Sequence, residues 1–137
     1  PGIDVLRAAR IACEVASVHS MHDPTEGGLI NGLVEMAWAS GKEIEVDLEK
    51  VFIYKESRFL CQEFGLNPLG VIASGALLLA VSPSDLSRIE KAFKKNSIPF
   101  QVIGKVKKGP GRVLRIDPKG REELKLLPQD EILKIYH

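Results

Sequence analysis

The stretch HDPTEGGLINGLVEMAWAS, residues 22–40, gathers a histidine, two acids, a hydroxyl and two adjacent glycines in its first seven residues, ahead of an apolar helical pattern. Asp23 is a favoured N-cap, Pro24 suits the first helical position, and Glu26 stands three residues after the cap, as in a capping box. Gly27 and Gly28 do not fit that scheme, because a glycine inside a helix costs about 0.5 to 1 kcal/mol relative to alanine. Something must approach the backbone closely there. Two readings are open: a neighbouring element packed against the first turn, or an anion such as phosphate held by the exposed N–H groups at the positive end of the helix dipole.

Other reactive types are more diffuse. His19, His22 and Asp23 have the chemistry of metal ligands, but histidines three apart in the loop before a helix read as polar connectors, and no metal site is expected. Ser57 and Ser74 have no evident base and orienting acid near them in sequence, so nucleophilic catalysis finds no support. Lys105, Lys107, Lys108, Arg112 and Arg115 gather around Gly109-Pro110-Gly111 without interleaved aromatics, which predicts a solvated hairpin rather than a nucleic-acid contact. Cys13 and Cys61 each fall in an apolar helical pattern and form no CxxC pair, so both are predicted to be buried free thiols.

The elements that must position these groups follow from periodicity. With 137 residues, 45% hydrophobic and 27% charged, and a net charge of +1, the composition fits one globular domain with no electrostatic pull toward nucleic acid. No apolar run reaches transmembrane length and the amino terminus lacks a signal-peptide pattern, so no membrane partner and a cytoplasmic location are expected. Val5, Ala8, Ala12 and Val15 predict a helix over 3–18; a second follows over 26–40, stopped by Gly41. Residues 43–48 alternate as a strand, and YKESRFLCQEFG, residues 54–65, reads as a third helix. GALLLAV, residues 75–81, is apolar without alternation, as in a central strand covered on both faces. Ser82 or Ser84 then caps a helix with Leu86, Ile89 and Phe93 on one face, and IPFQVIGKV, residues 98–106, returns as a strand before the hairpin. This order predicts an α+β protein, a layered α/β sandwich with a mixed sheet and partly ferredoxin-like topology.

The segments DPTEGGLINGLVEMA, NPLGVIASGALLLAVSPSDL, VIGKV and GRVLRI have the order and spacing of the carboxy-terminal domain of the aminoimidazole ribonucleotide (AIR) synthase, or PurM-like, superfamily. Within it the chain most resembles hydrogenase expression/formation proteins of the HypE type, over residues 3–127. The resemblance implies a sandwich of the PurM carboxy-terminal type over residues 1–137, the second half of a longer polypeptide whose amino-terminal ATP-binding domain is absent from this sequence. It implies ATP with Mg2+ as cofactor, bound mainly by that other domain, homodimerisation through the same domain, and maturation-type protein partners. It also implies that Asp23, Thr25, Gly27, Gly28 and Ser74 face the cleft between the two domains as ligand-binding residues, with no catalytic residue assigned. The implied chemistry is ATP-driven activation of an oxygen for displacement or dehydration, with the isolated domain inactive.

Two departures from the family stand out. Hydrogenase-maturation members carry an acidic residue at the position of Ser74, and they carry a carboxy-terminal cysteine tail, whereas this sequence ends EILKIYH with no cysteine after Cys61. They favour a second expectation, a non-catalytic ligand-binding or assembly module derived from the family.

Overall fold

The computed structural model describes residues 2–136; Pro1, where the expected domain begins, and His137, which ends the EILKIYH tail, lie outside the described residues. Its main elements are α1 (Leu6–Val15), β1 (Val18–His22), α2 (Gly28–Ser40), β2 (Glu43–Val46), α3 (Lys55–Glu63), β3 (Leu78–Val81), α4 (Leu86–Lys95), β4 (Gly104–Lys107), β5 (Arg112–Asp117) and β6 (Gly120–Leu124). The class is the expected one, α+β with a mixed sheet.

Strand alternation builds the larger sheet, of order β4-β2-β5-β6. β2 runs antiparallel to β4 and parallel to β5, and β5 turns back into β6. Ile44 and Val46 of β2 and Val113 of β5 point to one face, where Leu29, Leu33, Val34 and Ala37 of α2 and Leu78 of β3 complete the main core. Each such side chain contributes about 1.5 to 3 kcal/mol by leaving water. A second core forms where Ala12 of α1 meets Ile89 and Phe93 of α4 above the β1–β3 ribbon, with Phe100 edge-on to Phe93 at 5.8 Å.

Several sequence expectations are corrected. The first helix is shorter than 3–18, because residues 18–22 pair with β3 as a strand instead of forming a loop. The strand over 43–48 stops at Val46, and the helix over 54–65 contracts to Lys55–Glu63. The 75–81 run is not a central strand: Gly75 takes a φ of 98° in the turn before it, and only Leu78–Val81 pair, with β1 alone. Of 98–106 only the end is strand, beginning at Gly104.

Gly109-Pro110-Gly111 closes no hairpin, since β4 and β5 lie on opposite sides of β2. The link instead crosses over β2, so closely that a Cβ on Gly109 would lie 2.7 Å from Glu43 Cβ. Neither Ser82 nor Ser84 caps α4 with its side chain; a 3-10 turn, Pro83–Asp85, leads in, and the Asp85 carboxylate accepts the Ser17 N–H at 2.9 Å and pairs with Arg88. Cys61 is buried as expected, but Cys13 is exposed, because α1 is covered on one face only.

Candidate functional site

The first turn of α2 is made by two consecutive left-handed residues, Gly27 at φ 72° and Gly28 at φ 63°. That geometry displaces the predicted capping box. Asp23 does not cap the helix, Pro24 is buried ahead of it, and Gly27, without a side chain to offer, occupies the N-cap position. A Cβ on Gly28 would stand 2.5 Å from the carbonyl oxygens of both Leu69 and Val71, so the glycine permits close packing of the 69–71 backbone.

The amides that a helix start leaves unpaired are taken by the chain itself. Gly27 N–H donates to Asp130 Oδ2 at 2.7 Å, Gly28 N–H to the Thr25 carbonyl at 3.0 Å and Ile30 N–H to the Leu69 carbonyl at 3.1 Å. The carboxylate favoured by the helix dipole is therefore Asp130, more than a hundred residues further along the chain. Asp130 thus occupies, at the Gly27 N–H, the place an anion would take at this helix start.

Asp130 belongs to a strap that the sequence reading missed. Asn31, on the buried side of α2, accepts the Leu127 N–H at 2.8 Å and donates to its carbonyl at 3.3 Å. Glu131 N–H donates to the Gly70 carbonyl, while its carboxylate accepts the Asn67 N–H at 3.1 Å and the Lys134 ammonium at 2.6 Å. The Lys134 ammonium holds the Glu131 carboxyl below its ordinary range despite burial, and burial, with Glu131 nearby, pushes the Cys61 thiol up. The one available signal was Asn31, a polar residue inside the apolar stripe of α2.

The five expected site residues separate into two layers. Gly27 and Gly28 are buried beneath the surface, whereas Asp23, Thr25 and Ser74 face solvent. The Thr25 carbonyl accepts N–H groups from both Gly28 and Ala73, at 3.0 and 3.1 Å, which ties the 23–26 loop to the turn carrying Ser74. Gly75 then lets the amino-terminal segment approach, since its Cβ would be 3.3 Å from Ile3 Cα. A carboxylate and two hydroxyls on joined loops can hydrogen-bond a polar ligand.

The histidines have other partners. His22 Nε2 is 2.6 Å from Glu35 Oε2, and His19 Nε2 is 2.9 Å from Ser82 Oγ, both from positions in β1. Among the described residues, no three histidine, cysteine or acidic side chains converge as a metal site. Of the basic residues expected on a solvated hairpin, Lys105, Lys107, Arg112 and Arg115 instead meet acids on the sheet. Lys105 and Lys107 reach Glu45 at 3.3 and 2.7 Å, Arg112 reaches Glu43 at 2.7 Å, and Arg115 reaches Asp117 and Glu122. Register places Glu43 and Glu45 on the same face as Lys105, Lys107 and Arg112, and Arg115 on the other face beside Glu122, which their sequence positions do not reveal. A shallow groove of about 410 Å³, lined in part by Arg58, Asn67, Arg115 and Asp117, includes none of the five expected residues.

A helix whose double-glycine start is locked by a downstream strap, set on a mixed sheet, defines an α+β domain of a recognisable family. Residues 3–117 match the AIR synthase related protein, C-terminal domain family, and the chain belongs to it. It is 37% identical over 98 residues to phosphoribosylformylglycinamidine synthase subunit PurL of Thermococcus sibiricus, an alignment covering 69% of this chain and 12% of that protein. It is 35% identical over 88 residues to carbamoyl dehydratase HypE of Rhizobium leguminosarum bv. viciae, covering 64% of this chain and 25% of that one. Among solved structures, hydrogenase maturation protein HypE in complex with ATP superimposes with a TM-score of 0.79 at 25% identity, over 90% of this chain and 40% of that chain. The chain thus spans a minor part of the length of each of these relatives.

Proposed function

We propose that residues 1–137 act as the carboxy-terminal domain of an ATP-dependent enzyme of the PurM/HypE kind, in which ATP activates an oxygen for displacement or dehydration. In this reading an amino-terminal domain binds most of the ATP and its Mg2+, mediates homodimerisation, and closes a cleft against this domain in the cytoplasm. Partners of the hydrogenase-maturation type fit the same reading, since a HypE relative of this fold has been solved with HypF.

The observation that carries the proposal is the Thr25 carbonyl, which accepts the Ala73 N–H and so ties the loop of exposed Asp23 and Thr25 to the turn of exposed Ser74, in a domain of this family. Gly27 and Gly28 contribute from below, by fixing the loop that presents Asp23 and Thr25. Titration calorimetry of Mg–ATP into the 137-residue chain is expected to show weak binding. Turnover is expected only together with an ATP-binding half, and to fall with Thr25→Val. Micromolar ATP binding by the chain alone would overturn this division of labour.

One observation favours a second reading, a ligand-binding or assembly module without catalysis. Ser74 offers an exposed hydroxyl where hydrogenase-maturation members place a carboxylate able to move a proton. ATP turnover by the two halves together would exclude the module; binding without turnover, with turnover gained by Ser74→Glu, would support it.

A further inference from the structure

The groove of about 410 Å³ lies at the carboxyl ends of β2 and β5. These two strands are adjacent and parallel, with Val46 beside Arg115, and the crevice beyond the carboxyl ends of parallel strands is where open α/β sheets bind ligands. Its apolar floor is formed by Leu48, Val51, Ile53, Leu69 and Ile116. Leu48, Val51 and Leu69 also pack against the main core, which holds the shape of the floor. We propose that this groove binds a small organic carboxylate, with its charged end on Arg58 and Asn67 and its apolar body along that floor.

The polar groups left uncommitted in the lining select the charge. Asp47 already accepts the Glu49 N–H at 3.1 Å and pairs with Lys50 at 3.2 Å. Asp117 accepts the Lys119 N–H at 2.8 Å and pairs with Arg115 at 3.1 Å, and the far end of Arg115 reaches Glu122 at 2.6 Å. The Asn67 side-chain oxygen accepts the Leu69 N–H at 3.0 Å, which leaves the two hydrogens of its amide nitrogen. Arg58 stands three residues before Cys61 and so on the inner side of α3, and it lines the groove without an acidic partner among the described residues. A guanidinium fork and a carboxamide N–H₂ match an anion with two coplanar oxygens. Three acids on the same lining, Asp47, Glu49 and Asp117, disfavour a second negative charge, which selects a carboxylate monoanion over a phosphate dianion. The volume falls within the range of about 300 to 1,000 Å³ typical of small-molecule sites, so the floor accommodates an organic body behind that charge.

The groove includes none of Asp23, Thr25, Gly27, Gly28 and Ser74, so this inference is independent of the ATP-dependent reading. Amide NMR of the 137-residue chain titrated with phenylpropionate tests it. Saturable shifts are expected over residues 47–53, 67–69 and 115–117, with no comparable response to phenylpropionamide, which has the same shape without the charge. Phenyl phosphate, a dianion at neutral pH, is expected to bind more weakly than phenylpropionate. Arg58→Gln is expected to weaken phenylpropionate binding about tenfold or more, the loss of one charge-assisted pair. Asn67→Asp, which keeps an acceptor for the Leu69 N–H but turns a carboxylate toward the ligand, should weaken it comparably. Arg58 is exposed, so the unliganded spectrum of Arg58→Gln should match the parent's away from the substitution. An absence of saturable shifts in the groove would overturn the proposal. Equal response to the amide, tighter binding of phenyl phosphate, or binding indifferent to Arg58→Gln would overturn it equally.

Discussion

α2 and α3 both carry large apolar side chains, yet the fold treats them in opposite ways. α2 buries most of its length, including both faces of its first turn, and its leading amides are answered by Thr25, Leu69 and Asp130. α3 buries Cys61 alone and leaves Phe59, Leu60 and Phe64 to solvent. The difference lies in what crosses each helix. The 69–71 backbone and the 127–134 strap converge on α2, and glycines are needed for their close approach. No segment crosses the outer face of α3 among the described residues. One helix is thus finished by its own chain, and the other leaves its aromatic side chains to solvent.

The sharpest way to break that contrast is Gly28→Ala. Alanine would have to adopt a φ of 63° and place its Cβ 2.5 Å from two carbonyl oxygens. Strain of that kind, combined with overpacking, is expected to cost about 3 kcal/mol or more, read as a lowered urea midpoint. As an ordinary helical position, residue 28 would instead gain up to about 1 kcal/mol from alanine. An unchanged or raised midpoint would therefore show that α2 is not locked at its start.

Removing the distant cap has a smaller effect. Asp130→Ala leaves the Gly27 N–H buried without its acceptor and is expected to cost about 1 to 2 kcal/mol, whereas Asp130→Asn, which keeps an oxygen there, should cost less. Equal losses from the two variants would mean that the charge, rather than the hydrogen bond, closes the helix.

These two residues also mark what the sequence made legible. The existence of α2 could be read from Leu29, Leu33 and Ala37, and the need for close approach from the paired glycines, because both signals are local. What approaches could not be read, since Asp130 lies 103 positions from Gly27. Non-local pairing likewise hid the insertion of β2 between β4 and β5, and turned an apparent Gly-Pro-Gly hairpin into a crossover. Cys13 misled in the other direction, because apolar periodicity reports that a face seeks cover without saying whether its own chain supplies it. Among the expected site residues, the glycines were legible as an anomaly, while their separation from Asp23, Thr25 and Ser74 needed three dimensions.

Acid should loosen the strap on the α2 side, and with it the Asp85 contact at the start of α4. The Glu131 carboxyl is held below its ordinary 4.5, first by the Lys134 ammonium, and Asp85 is likewise lowered, first by the Ser17 N–H. A depressed folded pKa contributes stability that is complete above the unfolded value and is lost as the pH falls through the folded one. The denaturant midpoint is therefore expected to be nearly flat from neutrality to about pH 5 and to fall below it. Glu131→Gln should lower the neutral midpoint and flatten that fall. An acid slope identical in parent and variant would remove Glu131 from the strap's energetics.

The smallest expected change is the most discriminating for α3. Phe59→Ser, measured in dilute solution, is expected to shift the unfolding free energy by no more than about 0.5 kcal/mol, since the ring is 61% exposed and leaves no cavity. Were the ring packed by the chain's own residues, the same truncation would cost about 3 to 5 kcal/mol. A large loss in dilute solution would place Phe59 in the core and erase the contrast between the helices.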